Sequence, residues 1–325
     1  MNILVTGGAG YIGSAAAEAL IHAGHSVTVY DSLVTGHRRA VPEGATFVEA
    51  DLANSQVLTK TLTDQKFDAI MHFAAFIEAG ESMKDPGRFY HNNLTNSLTL
   101  METAVRAGVK RFVLSSTAAV FQSSNEPLTE DSPLGPTNVY GHTKLMVEQA
   151  LDWYRAIHGL HFAALRYFNA CGALPGRGEA HQPESHLIPL VLRVPLGLRD
   201  SAQIYGTDYP TPDGTCIRDY IHIADLVSAH MLALDGLSER DRLIYNLGSG
   251  NGYSVREVIE TAREVTGHPI PVNELPRRPG DSARLVASSE KIKRELGWNP
   301  EHDNLQEIIS SAWEWHQSHP SGYKG

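Results

Sequence analysis

The sequence predicts an α/β fold, a doubly wound parallel sheet with a smaller, mixed α/β lobe built mainly from the C-terminal half. Three observations predict it. Over the first 170 residues, short apolar runs alternate with helical patterns, as in parallel strands buried on both faces. A glycine-rich turn, Gly7 to Gly13, joins the first of those runs to the first helical pattern. After Asn169 the alternation fails: residues 171–186 are rich in Gly, Pro and polar groups, and Pro189 and Pro195 interrupt the next apolar stretch.

The elements follow in order. Ile3–Thr6 reads as a buried strand and Tyr11–Ala23 as a helix closed by Gly24. Val27–Asp31, Thr46–Asp51 and Asp68–Ala75 read as the second, third and fourth strands, the last apolar almost throughout. Asn92–Ala107 is a helix closed by Gly108, Arg111–Ser116 a fifth strand, Tyr140–His158 a long helix and Phe162–Arg166 a sixth strand. Beyond these, Ile223–Leu234 reads as a helix and Leu243–Leu247 as a strand. Residues 1–170 therefore form one domain, to which the chain returns around 220–248, and residues 171–325 mainly form the lobe.

Composition narrows the functional classes. The chain has a formal net charge of -10, with 42% apolar and 20% charged residues, ordinary for a globular enzyme and unfavourable for binding nucleic acid. Any anionic substrate needs a local cluster of positive charge. Only two cysteines occur, Cys171 and Cys216, with no Cys-x-x-Cys pair, so neither a disulfide framework nor a structural zinc site is expected. The sixteen histidines are scattered without metal-ligand spacing, and no metal is expected. The chain enters a strand at once and has no apolar run of membrane-spanning length. The expectation is a cytoplasmic protein with no membrane partner.

Thr6-Gly7-Gly8-Ala9-Gly10-Tyr11-Ile12-Gly13 carries the chemistry of a dinucleotide site. Gly7 and Gly10 permit a tight turn that lets backbone approach a pyrophosphate, and Gly13 lets helix pack on strand. The helix N-terminus then offers N–H donors and a positive dipole end. Asp31, ending the second strand, can accept from ribose hydroxyls and would repel a 2′-phosphate, which favours NAD over NADP. Asp51-Leu52, after the third strand, suits an adenine contact. The domain is therefore Rossmann-type. Tyr140 and Lys144 are four apart on one helical face, where an ammonium would lower the phenol's pKa towards that of a general base. Ser115-Ser116-Thr117 ends the fifth strand, and Thr117 can offer a hydroxyl to a substrate oxygen.

Together the glycine motif, Ser-Ser-Thr and Tyr-x-x-x-Lys resemble those of the extended short-chain dehydrogenases. Gly80-Glu81-Ser82, Asn92-Asn93, Arg166-Tyr167-Phe168-Asn169, Gly206-Thr207-Asp208-Tyr209, Arg218-Asp219-Tyr220-Ile221-His222 and Arg277-Arg278-Pro279-Gly280-Asp281 narrow the resemblance to the UDP-glucose 4-epimerase family, nearly end to end. The resemblance implies reversible 4-epimerisation of UDP-galactose and UDP-glucose by transient oxidation at C4 with bound NAD, through a 4-keto sugar. It implies Tyr140, Lys144 and Thr117 as catalytic residues. For NAD it implies Tyr11, Ile12, Asp31, Asp51, Leu52, Phe73, Ala74, Ala75, Asn92, Tyr140, Lys144 and Phe168, beside Gly7, Gly10 and Gly13. For the UDP-hexose it implies Asn169, Leu187, Arg218, Tyr220, Arg278 and Asp281, with Thr117 and Tyr140 at the sugar. It also implies a homodimer paired through the helices near Asn92–Ala107 and Tyr140–His158; Leu94, Leu98 and Met101 can line that face, though burial in a monomer would give the same pattern.

This chain departs from the family at Phe121-Gln122, where Tyr-Gly is usual, and at Glu78, in a stretch usually small or apolar. Leu285 stands where side-chain size limits bulk at the sugar C2. An epimerase of UDP-N-acetylhexosamines or UDP-pentoses is the alternative within the fold. A non-catalytic NAD-binding regulator is the alternative of another class, and it would ordinarily lack the Tyr/Lys pair. Ala118-Ala119 after Thr117 disfavours the dehydratase and decarboxylase relatives, which place acids there.

Overall fold

The structure is a computed structural model, and it describes residues 1–278 and 281–323. The elements in chain order are β1 Asn2–Thr6, α1 Tyr11–His22, β2 Ser26–Asp31, β3 Thr46–Glu49, α2 Ser55–Gln65, β4 Ala69–His72, α3 Ala79–Ser82, α4 Pro86–Phe89, a π-helical turn Tyr90–Thr95, α5 Asn96–Arg106, β5 Arg111–Thr117, α6 Val139–His158 and β6 His161–Tyr167. There follow β7 Asn169–Cys171, α7 Leu187–Leu192, β8 Ala202–Tyr205, β9 Ile217–Arg218, β10 Tyr220–His222, α8 Ile223–Gly236, β11 Arg242–Leu247, β12 Tyr253–Ser254, α9 Val255–Thr266, β13 Val272–Leu275, β14 Arg284–Leu285, α10 Glu290–Leu296 and α11 Leu305–Ser318.

The chain divides into two compact units. The first comprises Met1–Gln122, Pro133–Arg166 and Val227–Tyr245. A seven-stranded sheet in the order β11-β6-β5-β4-β1-β2-β3 organises it. The pairs β1/β2, β1/β4, β2/β3 and β4/β5 are all parallel. Strand order reverses between β1 and β4, and ligands bind open parallel sheets at such a switch point, beyond the carboxyl ends of the strands. Leu4, Ile70, Phe112, Leu114, Phe162 and Ala164 from the strands meet Leu58, Leu62, Leu100, Met101, Val147 and Leu151 from the helices in one core.

Two junctions fix the geometry of this unit. A Cβ on Gly7 (φ +73°) would stand 2.5 Å from the Ala74 amide, and one on Gly13 would collide with the Gly7 carbonyl, so α1 lies tight on the turn that follows β1. A Cβ on Gly141 would collide with the Ala119 carbonyl. The glycine after Tyr140 thus lets α6 begin against the 118–120 turn that follows β5. Asn138 caps α6 by accepting from Gly141 N at 2.8 Å, and Gly159 ends it in the left-handed region at φ 67°.

The second unit comprises Ser123–Ser132, Tyr167–Leu226 and Asn246–Gly325. Among its described residues are three small sheets, β10-β7, β12-β9-β14 and β13-β8. Its core gathers Ile188, Val191 and Leu192 of α7, Val258, Ile259 and Ala262 of α9, and Ile308, Ile309 and Ala312 of α11. A capping box between Ser254 and Glu257 starts α9. Both cysteines are free and buried. Among the described residues no helix is long and apolar enough to cross a membrane.

Several element boundaries move. The expected strand Asp68–Ala75 stops at His72, because Phe73 N and Ala74 N both donate to Thr6 O, at 2.8 and 3.1 Å, and turn the chain out over the glycine loop. The third strand ends at Glu49 rather than Asp51. The helix expected over Asn92–Ala107 begins as the π-helical turn, with regular α-helix only from Asn96. The sequence patterns do not predict helices α2, α3, α4, α7, α9, α10 and α11.

Candidate active site

In the first unit, the glycine turn, Asp31, the 73–75 segment, Thr117, Tyr140 and Lys144 all belong to the carboxyl-terminal side of the parallel strands or to the start of α6. Helix α1 begins at Gly10 without a side-chain cap and without an acidic residue in its first turn, which leaves its positive end for an anion. Asp31 is buried. Its Oδ2 accepts from Ala9 N at 2.9 Å and its Oδ1 from Leu33 N at 2.8 Å, where Leu33 has φ 58°. Burial raises the Asp31 pKa, and the Leu33 and Ala9 amides pull it back down. The carboxylate therefore braces the glycine turn, and its remaining lone pairs stay available to hydroxyls. A turn with no room for side chains, an uncapped helix start and a carboxylate at the end of β2 fit the pyrophosphate and ribose of NAD. Tyr11 and Ile12 open α1 half-buried, Asp51 is exposed, Leu52 is buried, and Phe73 and Ala75 are half-buried.

Thr117 ends β5, buried, with its hydroxyl accepting from Ala119 N at 3.1 Å. Lys144 is buried, and its Nζ donates to Ser115 O at 2.7 Å. Burial draws the ammonium down to about 8, against the pull of Glu148. The Tyr140 phenol, on a residue that keeps some exposed surface, is pushed up to about 12 by burial; a hydrogen bond with Thr117 lowers it and the charge of Glu78 raises it further. The phenol's shift is thus opposite to the lowering that the sequence predicts from the ammonium, and burial is its largest cause.

Sequence reasoning missed three supports of this site. His72 is buried and held neutral, with its pKa pushed down to about 3 by burial and by the Lys144 charge. Its Nδ1 lies 2.7 Å from Thr6 Oγ1 and its Nε2 2.8 Å from Ser97 Oγ. Since Ser97 donates to Asn93 O at 2.6 Å, the chain of bonds is consistent with Nε2–H donating to Ser97 and Nδ1 accepting from Thr6. Asn93, buried in the π-helical turn, accepts from Phe76 N and from Asn92 Nδ2, each at 2.9 Å. It donates to Phe76 O at 2.9 Å and to Thr143 Oγ1 at 3.3 Å, and Thr143 donates to Tyr140 O at 2.7 Å. Behind β5, the buried pair Arg166–Glu148 (2.8 Å) also bonds Ser116, and the Arg166 guanidinium lies 4.9 Å over the Phe121 ring. Phe121 thus belongs to the packing behind β5. The Asn92-Asn93 pair and the four-residue step from Lys144 to Glu148 were the available signals.

His142 is exposed and lies 2.9 Å from the Tyr90 hydroxyl. Glu78 precedes α3, its carboxylate accepting from Ile77 N at 3.1 Å, while Ser82 Oγ of α3 accepts from Tyr140 N at 3.1 Å.

In the second unit, Asn169 donates from Nδ2 and N to Asp219 O, at 2.6 and 3.1 Å. Arg218 donates to Ile217 O and Ser282 O, each at 2.9 Å, and lies 3.6 Å from Asp281. Asp219 does not pair with Arg218. Its carboxylate is buried and saturated by Ser249 N and Oγ, Gly250 N and Ala287 N, at 2.7 to 3.0 Å. Arg278 is exposed with its guanidinium 3.7 Å over the Tyr205 ring. Leu187 is the first residue of α7, and Leu285 pairs with Arg218 between β14 and β9. Tyr220 and Phe168 are buried, Tyr220 within the core of this unit. Pro279 and Gly280 lie outside the described residues.

Residues 3–248 match the family described as NAD dependent epimerase/dehydratase family. A UDP-glucose 4-epimerase of Corynebacterium glutamicum is 50% identical over 314 residues, covering 96% of this chain and 95% of that one. A crystal structure of a UDP-glucose 4-epimerase superposes with TM-score 0.97 at 48% identity, each chain covered completely (100% and 100%). That of the Brucella ovis UDP-glucose 4-epimerase in complex with NAD gives TM-score 0.93 at 41% identity, covering 96% and 97% of the two chains. With this fold, these site residues and relatives of such extent, the chain belongs to the NAD dependent epimerase/dehydratase family.

Proposed function

We propose that this chain is an NAD-dependent UDP-glucose 4-epimerase, interconverting UDP-galactose and UDP-glucose. The observation that carries the reading is the buried ammonium of Lys144, donating to Ser115 O at 2.7 Å, on the helix that also carries the Tyr140 phenol, beside a switch point whose turn fits a dinucleotide. When bound, NAD supplies the two-electron acceptor and donor that inversion at a carbinol carbon requires, and it brings a positive charge to the site. Gly7, Gly10, Tyr11, Ile12, Gly13, Asp31, Asp51, Leu52, Phe73, Ala74, Ala75, Asn92 and Lys144 hold it in this reading, with Phe168.

Tyr140 takes the proton of the sugar 4-hydroxyl and gives it back. Thr117 keeps the phenol oriented and lends its hydroxyl to the same oxygen. Lys144, fixed by Ser115 O, keeps positive charge near a phenol that burial otherwise holds protonated. Asn169, Leu187, Arg218, Tyr220, Arg278 and Asp281 bind the UDP-hexose, the two guanidiniums answering its diphosphate in an otherwise acidic chain.

The purified protein is expected to convert UDP-galactose to UDP-glucose, whether its NAD co-purifies or must be added. Failure of both arms would discard the reading. Conversion of UDP-N-acetylgalactosamine alongside would mean that Leu285 leaves room for an acetamido group.

The same reading makes the protein a homodimer paired through α5 and α6. Trp153 and Ile157, one turn apart on α6, are 69% and 67% exposed, a costly apolar surface for a monomer. Leu94 and Leu98 are partly buried against the core, whereas Met101 is fully buried in it and has no surface to give a partner. Light scattering should report a dimer that Trp153→Asp disperses. The reading places the protein in the cytoplasm, where the buried thiols Cys171 and Cys216 stay reduced.

A further inference from the structure

We propose that Glu179, Glu184 and His186, with His181 as fourth ligand, form a divalent-cation site in the second unit, and that the cation is Zn2+. The three first-named residues present ligand atoms that all lie within 4.8 Å of one another. Tetrahedral zinc with ligands at about 2.0–2.1 Å separates neighbouring ligand atoms by about 3.4 Å, so modest side-chain rotation closes the site. His181 Nδ1 lies 3.3 Å from Glu179 Oε1, and the His181 and His186 ring centroids are 6.1 Å apart. The fourth donor is therefore already at the edge of the cluster.

The setting is built rather than accidental. The side chains of Glu179 and Glu184 are only 11% and 3% exposed, and each has an imidazole beside it, His181 at 3.3 Å and His186 at 2.8 Å, so the carboxylates are gathered out of water together with nitrogen donors. Glu179 is held from behind. Trp315 Nε1 of α11 donates to its carbonyl at 3.0 Å, and a Cβ on the preceding Gly178 would collide with the Trp315 ring. Glu184 Oε1 accepts from Ser185 N and His186 N, each at 2.7 Å, and lies 2.8 Å from His186 Nδ1. A further imidazole, His316 of α11, lies within electrostatic reach of both carboxylates.

The donor set selects the ion. Two imidazole nitrogens and two carboxylate oxygens suit zinc, whereas magnesium and calcium take six or more mainly oxygen ligands. All four ligands fall within eight residues, Glu179 to His186, in the Gly- and Pro-rich segment that ends where α7 begins at Leu187. The cation would clip that segment, fixing the start of a helix in a region with little regular structure. The role is structural, and the helix it fixes begins at Leu187, which the epimerase reading places at the UDP-hexose.

Untagged protein stripped with a chelator, dialysed against Zn2+ and passed through gel filtration should retain about one zinc per chain by elemental analysis. Its melting temperature should rise with the metal and fall again with chelator. Co2+ in place of zinc should give the visible d–d bands of a four-coordinate centre in the wild-type chain, a readout that needs no variant. Glu184→Gln and His186→Ala should lose the bound zinc while remaining folded by circular dichroism. Substoichiometric zinc with no cobalt bands in the wild type, or undiminished zinc in both variants, would leave only histidine–carboxylate ion pairs and overturn the site. Displacement of the zinc by equimolar Mg2+ or Ca2+ would overturn the assignment of the cation.

Discussion

In the first unit the polar groups of the site are sunk and closed: Lys144 ends on Ser115 O, His72 joins Thr6 to Ser97, Asn93 uses its whole amide, and Arg166 is sealed against Glu148. In the second unit the cations proposed for the substrate are less deeply sunk. Arg278 is exposed over Tyr205, and Arg218 is 18% exposed and 3.6 Å from Asp281. Groups that move protons need fixed positions and an environment that sets their pKa. Groups that bind a soluble dianion need only to be reachable, and side-chain freedom costs them little before the ligand arrives. The two regions should therefore fail differently when altered, and four substitutions test that difference.

Tyr140→Phe carries the largest expected effect. It removes one hydroxyl and leaves the helix start, capped by Asn138, as it was. Loss of a general acid–base group lowers kcat by about 10²–10⁴-fold, while thermal unfolding stays near that of the parent. A variant that keeps near-parental turnover would remove Tyr140 from the chemistry.

Glu148→Ala should reduce stability by about 3–5 kcal/mol in urea unfolding, since it leaves the Arg166 guanidinium buried without its anion. It also has a signature in activity. Glu148 raises the Lys144 pKa, which burial holds at about 8. Removing that anion lets the ammonium lose its proton at lower pH, so the alkaline limb of the kcat–pH profile should move to lower pH. An unmoved limb would show that Lys144 does not titrate with activity.

These two substitutions mark what the sequence makes legible and what it hides. The strand–glycine–helix junction and the Tyr140/Lys144 spacing are local patterns: a collision at Gly13 or a four-residue step on a helix is written in adjacent residues. The sign of the Tyr140 shift is not, because it depends on how far the folded chain excludes water from the phenol. His72, Asn93 and the Glu148–Arg166 pair escaped notice for a related reason. Their main partners lie 17 to 66 positions away in the sequence, and no periodicity records such contacts. The 179–186 histidines looked scattered because a loop, not a helix or strand of fixed pitch, brings them beside the two glutamates. In the second unit short strands and long loops offer few patterns to read, and the sequence does not announce α9 and α11.

Asn93→Ala should cost about 1–3 kcal/mol, the penalty for orphaning the half-buried Phe76 amide and carbonyl. Because the Thr143 hydroxyl links Asn93 to the Tyr140 carbonyl, kcat should fall while KM for the UDP-sugar changes little. Urea unfolding and steady-state kinetics on the same preparation separate the two effects. A rise in KM alone would place Asn93 with substrate binding instead.

Arg278→Ala is the opposite case, and the smallest structural perturbation of the four. The side chain is exposed, its contact is with the face of Tyr205, and it fills no part of either core, so the melting temperature should not move. The expected loss is in binding. One charge-assisted contact to a diphosphate corresponds to about a tenfold rise in KM. That rise should shrink as salt increases, because screening weakens the parent's interaction towards that of the variant. Arg278→Lys should recover only part of the loss, keeping the charge but not the planar fork that grips two oxygens. If KM were unchanged at low salt, the guanidinium would be a surface group resting on an aromatic ring, and Arg218 would be left as the cation that answers the diphosphate.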